Sequence, residues 1–174
     1  MSRLSIITAP DPILRKKSAP LETIDDALRA LMDDMFEIMV AGDGIGLAAI
    51  QVGVAKRLIV TRVAEGDEPP VALRLVNPEI LWRSDEPSVH EEGCLSLPDQ
   101  LAEVERPERV RVTYLDAAGE RRELETGGLL ATCLQHEIDH LDGVLFVDHL
   151  SLVKRSMIIR KLKKAQRQKA VAPA

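Results

Sequence analysis

The sequence predicts one domain that mixes helices with strands, and three observations predict it. Its 174 residues are 45% apolar, enough to build a core of their own. Two stretches, 24–39 and 128–141, carry apolar residues at helical spacing. Between them lie short apolar or alternating segments separated by Pro, Gly and Asp, the pattern of strands and turns.

Taken in order, residues 1–20 read as irregular, because Pro10, Pro12 and Pro20 interrupt regular structure. A helix is expected to begin near Thr23 as N-cap, with Asp25 and Asp26 in its first turn. Ile24, Ala27, Leu28, Leu31, Met35, Ile38 and Met39 form its core face, and Gly42 is a natural stop. The segment Gly42 to Gln51 is rich in small residues. Gly44, Gly46 and Ala49 have the spacing of a dinucleotide fingerprint, with Glu65 about where its acid belongs. That fingerprint needs a strand before it and a helix after it; here a helix precedes it and Gly53 interrupts soon after. Small residues here suit a backbone that passes close to a ligand or a strand. Gln51 ends the segment, and the default for it is a structural amide.

Leu58 to Val60 reads as a short strand, Ala64 to Pro70 as a polar loop and Val71 to Val76 as a second strand. Asn77-Pro78 is expected to turn the chain before Ile80 to Trp82 resumes it, and Asp85 to Pro87 forms a loop. Arg109 to Leu115 alternates, with Val110, Val112 and Tyr114 on one face. Asp116 to Gly119 is a hairpin loop and Arg121 to Glu125 the return strand. Gly128 to Leu141 is a buried helix, and Leu150 to Ala174 a final one.

Composition excludes several roles. The net charge is −5, and four aromatic residues are too few for a base-stacking platform. No run approaches membrane-spanning length. The apolar run Leu4 to Ile7 is too short for a secretory signal, so a cytoplasmic location is expected, with Cys94 and Cys133 reduced rather than paired. The last helix is different in charge. It holds eight basic residues and no acid, leaving 15 basic against 28 acidic residues in the remainder. It is either a solvated helix with Leu152, Ile159 and Leu162 packed down, or a contact for a polyanion such as ribosomal RNA.

The chemistry centres on His136-Glu137-Ile138-Asp139-His140. On a helix the two histidines lie one turn apart on one face and can hold a metal ion, with Glu137 beside them to take a proton from water. The bland alternative is a chance pattern of hydrogen-bonded core histidines. A third ligand decides between them. One zinc-protease pattern continues to a third histidine, but that position is Phe146, and no Glu follows Glu137. Asp142, Asp148 and His149 are weaker options. Upstream, Glu91 to Pro98 offers Cys94, whose thiolate would complete a Cys-His-His set with one open position. Cys133, one turn before His136, is the competing thiol, although its apolar surroundings favour a buried apolar role. Both cysteines together would make a closed, structural zinc site.

Three motifs stand in series: Gly44-Ile-Gly-Leu-Ala-Ala-Ile-Gln51, Glu92-Gly-Cys-Leu-Ser96 and His136-Glu-Ile-Asp-His140. In this combination the chain closely resembles peptide deformylase. The likeness extends over Pro10 to Arg15, Gly128 to Ala131 and Leu141 to Gly143, hence over essentially the whole sequence. The basic terminal helix looks like that of the bacterial enzymes. The resemblance implies an α+β fold, with mixed or antiparallel strands packed around the central metal helix. Residues 1–174 would be a single catalytic domain, of which 150–174 is the basic C-terminal helix. The implied activity is that of a hydrolase removing the N-formyl group from the formyl-methionine of newly made polypeptides. The implied cofactor is one divalent metal ion, natively Fe2+, with Zn2+, Ni2+ or Co2+ also accepted.

Carried over position by position, Cys94, His136 and His140 look like the metal ligands and Glu137 like the general acid/base. Gln51 and the backbone N–H of Leu95 look like oxyanion donors. Ile45, Gly46 and Gly93 look like backbone contacts to the peptide, and Leu129 and Cys133 like walls of the methionine pocket. Asp139 reads as a structural acid with Arg106 as its partner, and His90 and His149 as ordinary histidines. A cytoplasmic monomer is expected, with no membrane partner and with the ribosome as a partner through the basic helix. Two positions depart from the family pattern: Leu101, where some bacterial members carry Arg, and Thr132, where some carry Ile.

Overall fold

A computed structural model gives the structure of residues 4–171. The first three residues of the irregular start and the last three of the expected terminal helix lie outside the described residues. A 3-10 turn at Pro12–Arg15 is the first regular element. Helix α1 covers Asp26–Ala41. Its N-cap is Asp25, not Thr23: the Asp25 carboxylate accepts a hydrogen bond from the Leu28 N–H at 2.8 Å. A carboxylate satisfies a free N–H and also complements the positive end of the helix, which a hydroxyl does not. Gly42 closes α1, as expected.

Among the described residues the strands are β1 (Gly46–Ala48), β2 (Leu58–Val63), β3 (Val71–Arg83), β4 (Pro87–Cys94), β5 (Leu97–Pro107), β6 (Arg109–Leu115) and β7 (Arg121–Gly127). Helix α2 is Gly128–Leu141, a 3-10 turn follows at Phe146–His149, and α3 is Leu152–Val171. Five strands form one sheet in the order β1-β2-β3-β6-β7, and β4 and β5 form a separate hairpin. Every ladder is antiparallel.

The sheet lies between the two helices, and β2 shows why. Its alternate residues Leu58 and Val60 join Met32, Met35 and Met39 of α1. Its other residues, Ile59 and Val63, join Leu130, Leu134 and Ile138 of α2. A strand apolar on both faces has to be covered on both faces.

Three expectations change here. The Asn77-Pro78 turn does not break the strand: β3 runs through it with a register shift between Val76 and Glu79. Asn77 takes the left-handed conformation at φ 50°, and its side-chain amide exchanges two 2.8 Å hydrogen bonds with the Leu21 backbone. A bulge pinned from the side lets a proline pass through a strand. The stretch around Cys94, anticipated only as a site segment, is the end of a long hairpin. Leu97 and Val104 of that hairpin pack with Phe146, Val147, Ile158 and Leu162. Helix α3 touches the body through Ile158 and Leu162, whereas Leu152 is 77% exposed and does not pack down. No helix among the described residues is long and apolar enough to cross a membrane.

Candidate metal centre

Helix α2 is the element that positions the site, and its first turn is held by acids. The Glu65 carboxylate accepts from the Leu130 N–H at 3.1 Å, and Glu108 from the Gly128 N–H at 3.2 Å. Glu65, set at a dinucleotide-like spacing in sequence, therefore serves as a helix cap. Eleven of the fourteen residues of α2 are buried, among them Gln135, His136, Glu137 and His140. Polar groups can be buried so deeply only when each finds a partner or an ion.

The β4–β5 hairpin supplies the missing pieces. It brings Cys94 to His136 and His140, and one ligand atom from each lies within 4.8 Å of the others. Cys94 Sγ and His140 Nε2 are 3.3 Å apart. Bonds of roughly 2.0–2.3 Å to a tetrahedral ion put ligand atoms about 3.3–3.7 Å from one another, so the separation suits a shared ion. Three donors leave one position open, and among the described residues this is the only group of at least three such side chains that could hold a metal. Cys133 is not part of it. Its thiol donates to the Ile45 carbonyl at 3.6 Å, and burial pushes its pKa well up, away from thiolate. The downstream alternatives are engaged elsewhere: Asp142 with Arg57, Asp148 with Arg15 and Arg155, and His149 with Asp139.

Behind the cluster lies a chain of charges. Glu92 Oε1 sits 2.8 Å from His136 Nδ1. A carboxylate there accepts a hydrogen bond from the Nδ1–H and leaves Nε2 free to bind. Arg106 grips Glu92 with two hydrogen bonds, 2.7 Å from Nε and 3.0 Å from Nη2, and reaches Asp139 at 2.9 Å from Nη1. His149 closes the chain on Asp139 at 2.8 Å. Burial works to raise the Glu92 carboxyl, but the hydrogen bonds with His136 and Arg106 outweigh it and hold it below the usual range. Burial works to make His136 neutral, yet Cys94 and Glu92 raise it well above an ordinary histidine. These acceptors favour a positive charge at this point, which a metal cation would supply. The expected Asp139–Arg106 pair is present, and His149 is part of the same chain rather than an ordinary surface histidine.

Glu137 is 4% exposed, and burial pushes its carboxyl up to about 7. It packs beneath Gly46, where a Cβ would come within 2.5 Å of Glu137 Oε1 and 2.8 Å of Cys133 Sγ. Only glycine fits there. Gln51 is pinned at both ends: Oε1 accepts from the Ala48 N–H at 2.8 Å, and Nε2 donates to Ser96 Oγ at 3.1 Å and toward Cys94 Sγ at 3.5 Å.

A cavity of about 710 Å³ opens over this floor. Ile45, Gly46, Gly93, Leu95, Leu129 and Cys133 line it, together with Gln51, Cys94, His136 and Glu137. His140, 1% exposed, lies behind. The residues that the family resemblance assigns to ligands, catalysis and substrate contact are thus brought to one place. The two departing positions are there too, Leu101 exposed at the rim and Thr132 buried in the wall. Sequence reasoning gave no role to Glu92 or Ser96. Strand alternation puts Glu92 and Cys94 on one face, and that was the signal available for Glu92.

A family model described as polypeptide deformylase matches residues 3–156. The chain belongs to the polypeptide deformylase family. It is 54% identical to peptide deformylase of Bartonella tribocorum over 97% of this chain and 96% of that one. It is 56% identical to that of Methylocella silvestris over 97% and 87% of the two chains. The crystal structure of peptide deformylase from Ehrlichia chaffeensis superposes with a TM-score of 0.93 at 43% identity, covering 98% of this chain and all of that one. A second structure of the Ehrlichia enzyme, in complex with actinonin, gives a TM-score of 0.91 at 46% identity over 96% and 99% of the chains. The family removes the N-formyl group from nascent polypeptides, and this chain is a hydrolase of that kind. Family and cluster together indicate a single metal ion.

Proposed function

We propose that Cys94, His136 and His140 hold one divalent metal ion, natively Fe2+, with Zn2+, Ni2+ or Co2+ able to replace it, and that Glu137, Gln51 and Leu95 carry the reaction beside it. The supporting observation is the three-donor cluster at the floor of the cavity, with Glu137 adjacent in the same wall. When bound, such an ion makes water acidic near neutral pH and polarises a carbonyl oxygen. Glu137 accepts a proton from the attacking water at its carboxylate. Gln51 Nε2 and the Leu95 N–H donate to the formyl oxygen as negative charge develops on it; losing one such donor typically costs roughly 100- to 1,000-fold in rate. Glu137 then delivers the proton to the departing amine, so water and the formyl amide become formate and a free α-amino group. Burial raises the Glu137 carboxyl, which favours its holding and returning the proton. The backbone of Ile45, Gly46 and Gly93 holds the peptide, and Leu129 and Cys133 enclose the methionine side chain.

The described chain reads as a single catalytic domain acting as a monomer in the cytoplasm, with basic α3 as its contact to the ribosome. The decisive experiment measures formate released from a short formyl-Met peptide by anaerobically prepared parent and by Glu137→Ala. Formate from the parent, with a loss of about 100- to 10,000-fold in a variant that keeps its metal, is expected for a missing acid/base. Comparable turnover by the variant would remove Glu137 from the mechanism. Metal analysis of Cys94→Ser and Cys133→Ser checks the ligand set: metal lost from the first and kept by the second is expected, and the reverse would transfer the role to Cys133.

A further inference from the structure

The Gln51 amide does not stand alone in the site. Its oxygen faces the Ala48 N–H at 2.8 Å, a donor that only an oxygen can satisfy, and this fixes which end of the amide is Nε2. Nε2 has two hydrogens. One points to Ser96 Oγ at 3.1 Å, and the other faces the metal cluster, toward Cys94 Sγ at 3.5 Å. Ser96 is fully buried and Gln51 is 1% exposed, so no water competes for this bond. The two residues come from different elements, the 3-10 turn Ala49–Val52 and the β4–β5 connection. One segment of the N-terminal stretch ties both backbones together: the Ile7 N–H donates to the Gln51 carbonyl at 2.8 Å, and the Ala9 N–H to the Ser96 carbonyl at 2.7 Å.

We propose that Ser96, held by the Ile7–Ala9 segment, is a positioning residue that aims the Gln51 amide at the formyl oxygen. The hydroxyl occupies one hydrogen of Nε2 and so keeps the other on the side of the metal cluster, where it faces Cys94 Sγ and is within reach of a substrate oxygen bound there. The amide is preorganised, and no reorientation is needed as charge develops. Ser96 itself touches neither the substrate nor the ion. The proposal rests on the reading of Gln51 as an oxyanion donor.

A double-mutant cycle tests it, using the metal-loaded enzyme and a formyl-Met peptide. Ser96→Ala is expected to lower kcat by about tenfold at little changed KM, less than the roughly 100-fold or more for losing the donor in Gln51→Ala. If Ser96 acts through Gln51, Ser96→Ala costs nothing further in the Gln51→Ala background. Metal content and Tm should stay near parental values in both single variants. Additive losses, or full activity in Ser96→Ala while Gln51→Ala is impaired, would overturn the role of Ser96. Full activity in Gln51→Ala would instead overturn the reading of Gln51. A second measurement does not depend on either variant folding. In the parent, the two side-chain amide protons of Gln51 should exchange slowly with solvent, read by 15N–1H NMR. Rapid exchange with solvent would show an amide that is not held, and would sink the proposal.

Discussion

Helices α2 and α3 are built on opposite terms. Helix α2 has 14 residues and buries eleven, five of them the polar Thr132, Gln135, His136, Glu137 and His140. Helix α3 has 20 residues and buries two, Ile158 and Leu162, while its Lys and Arg side chains stay in solvent or at the edge of the body. Polar groups left in water need no partners. Those in α2 have been taken out of water, and three depend on something from elsewhere in the chain: Glu92 for His136, Cys94 for His140, the Pro107 carbonyl for Gln135. Helix α2 therefore relies on the β4–β5 hairpin that completes it, whereas α3 rests on the body through one apolar strip and the Arg155–Asp148 pair.

The sharpest way to break this contrast is to remove Arg106. It is 5% exposed and binds Glu92 and Asp139 together. Arg106→Ala strands a buried carboxylate, and a loss of about 3–5 kcal/mol in unfolding free energy is expected by chemical denaturation. A loss below 1 kcal/mol would show that water replaces the guanidinium and that α2 does not rely on the hairpin. A smaller, more local effect is expected for Glu92→Gln, which keeps shape but removes the charge behind His136. Metal affinity should fall roughly 10- to 100-fold, read by competition with a chelator. Unchanged affinity would mean that the hydrogen bond alone, without the charge, orients the ring. At the other end, Lys163→Ala on exposed α3 should shift stability by no more than about 0.5 kcal/mol. A larger shift would place α3 against the body more firmly than its two buried residues suggest.

Local patterning made some of this legible in advance. The bounds of α2, the β6 strand and the following hairpin loop all follow from runs whose period matches their element, with turn residues at both ends. The metal triad was legible because three separated motifs point to one chemistry. Other features were not. Asp25 and Thr23 are both competent caps, and only the geometry of the first turn chooses between them. Asn77-Pro78 reads as a break, yet a side chain bonded to Leu21, 56 residues away, holds the strand through it. The hairpin β4–β5 carries Glu at positions 91, 92, 103 and 105, which obscures any apolar alternation. Its inward faces become evident only once Arg106 is seen to neutralise Glu92.

The sequence by itself determined the periodic elements, the candidates for metal binding and proton transfer, and the family, because those depend on neighbours within a few residues or on motifs of fixed spacing. Tertiary structure alone decided that Glu92 and Arg106 stand behind the cluster, and that Gln51 is clamped by Ser96. Each of those outcomes depends on which distant groups share a dry interior, where an unpaired charge or hydrogen-bonding group is too costly to leave unpartnered.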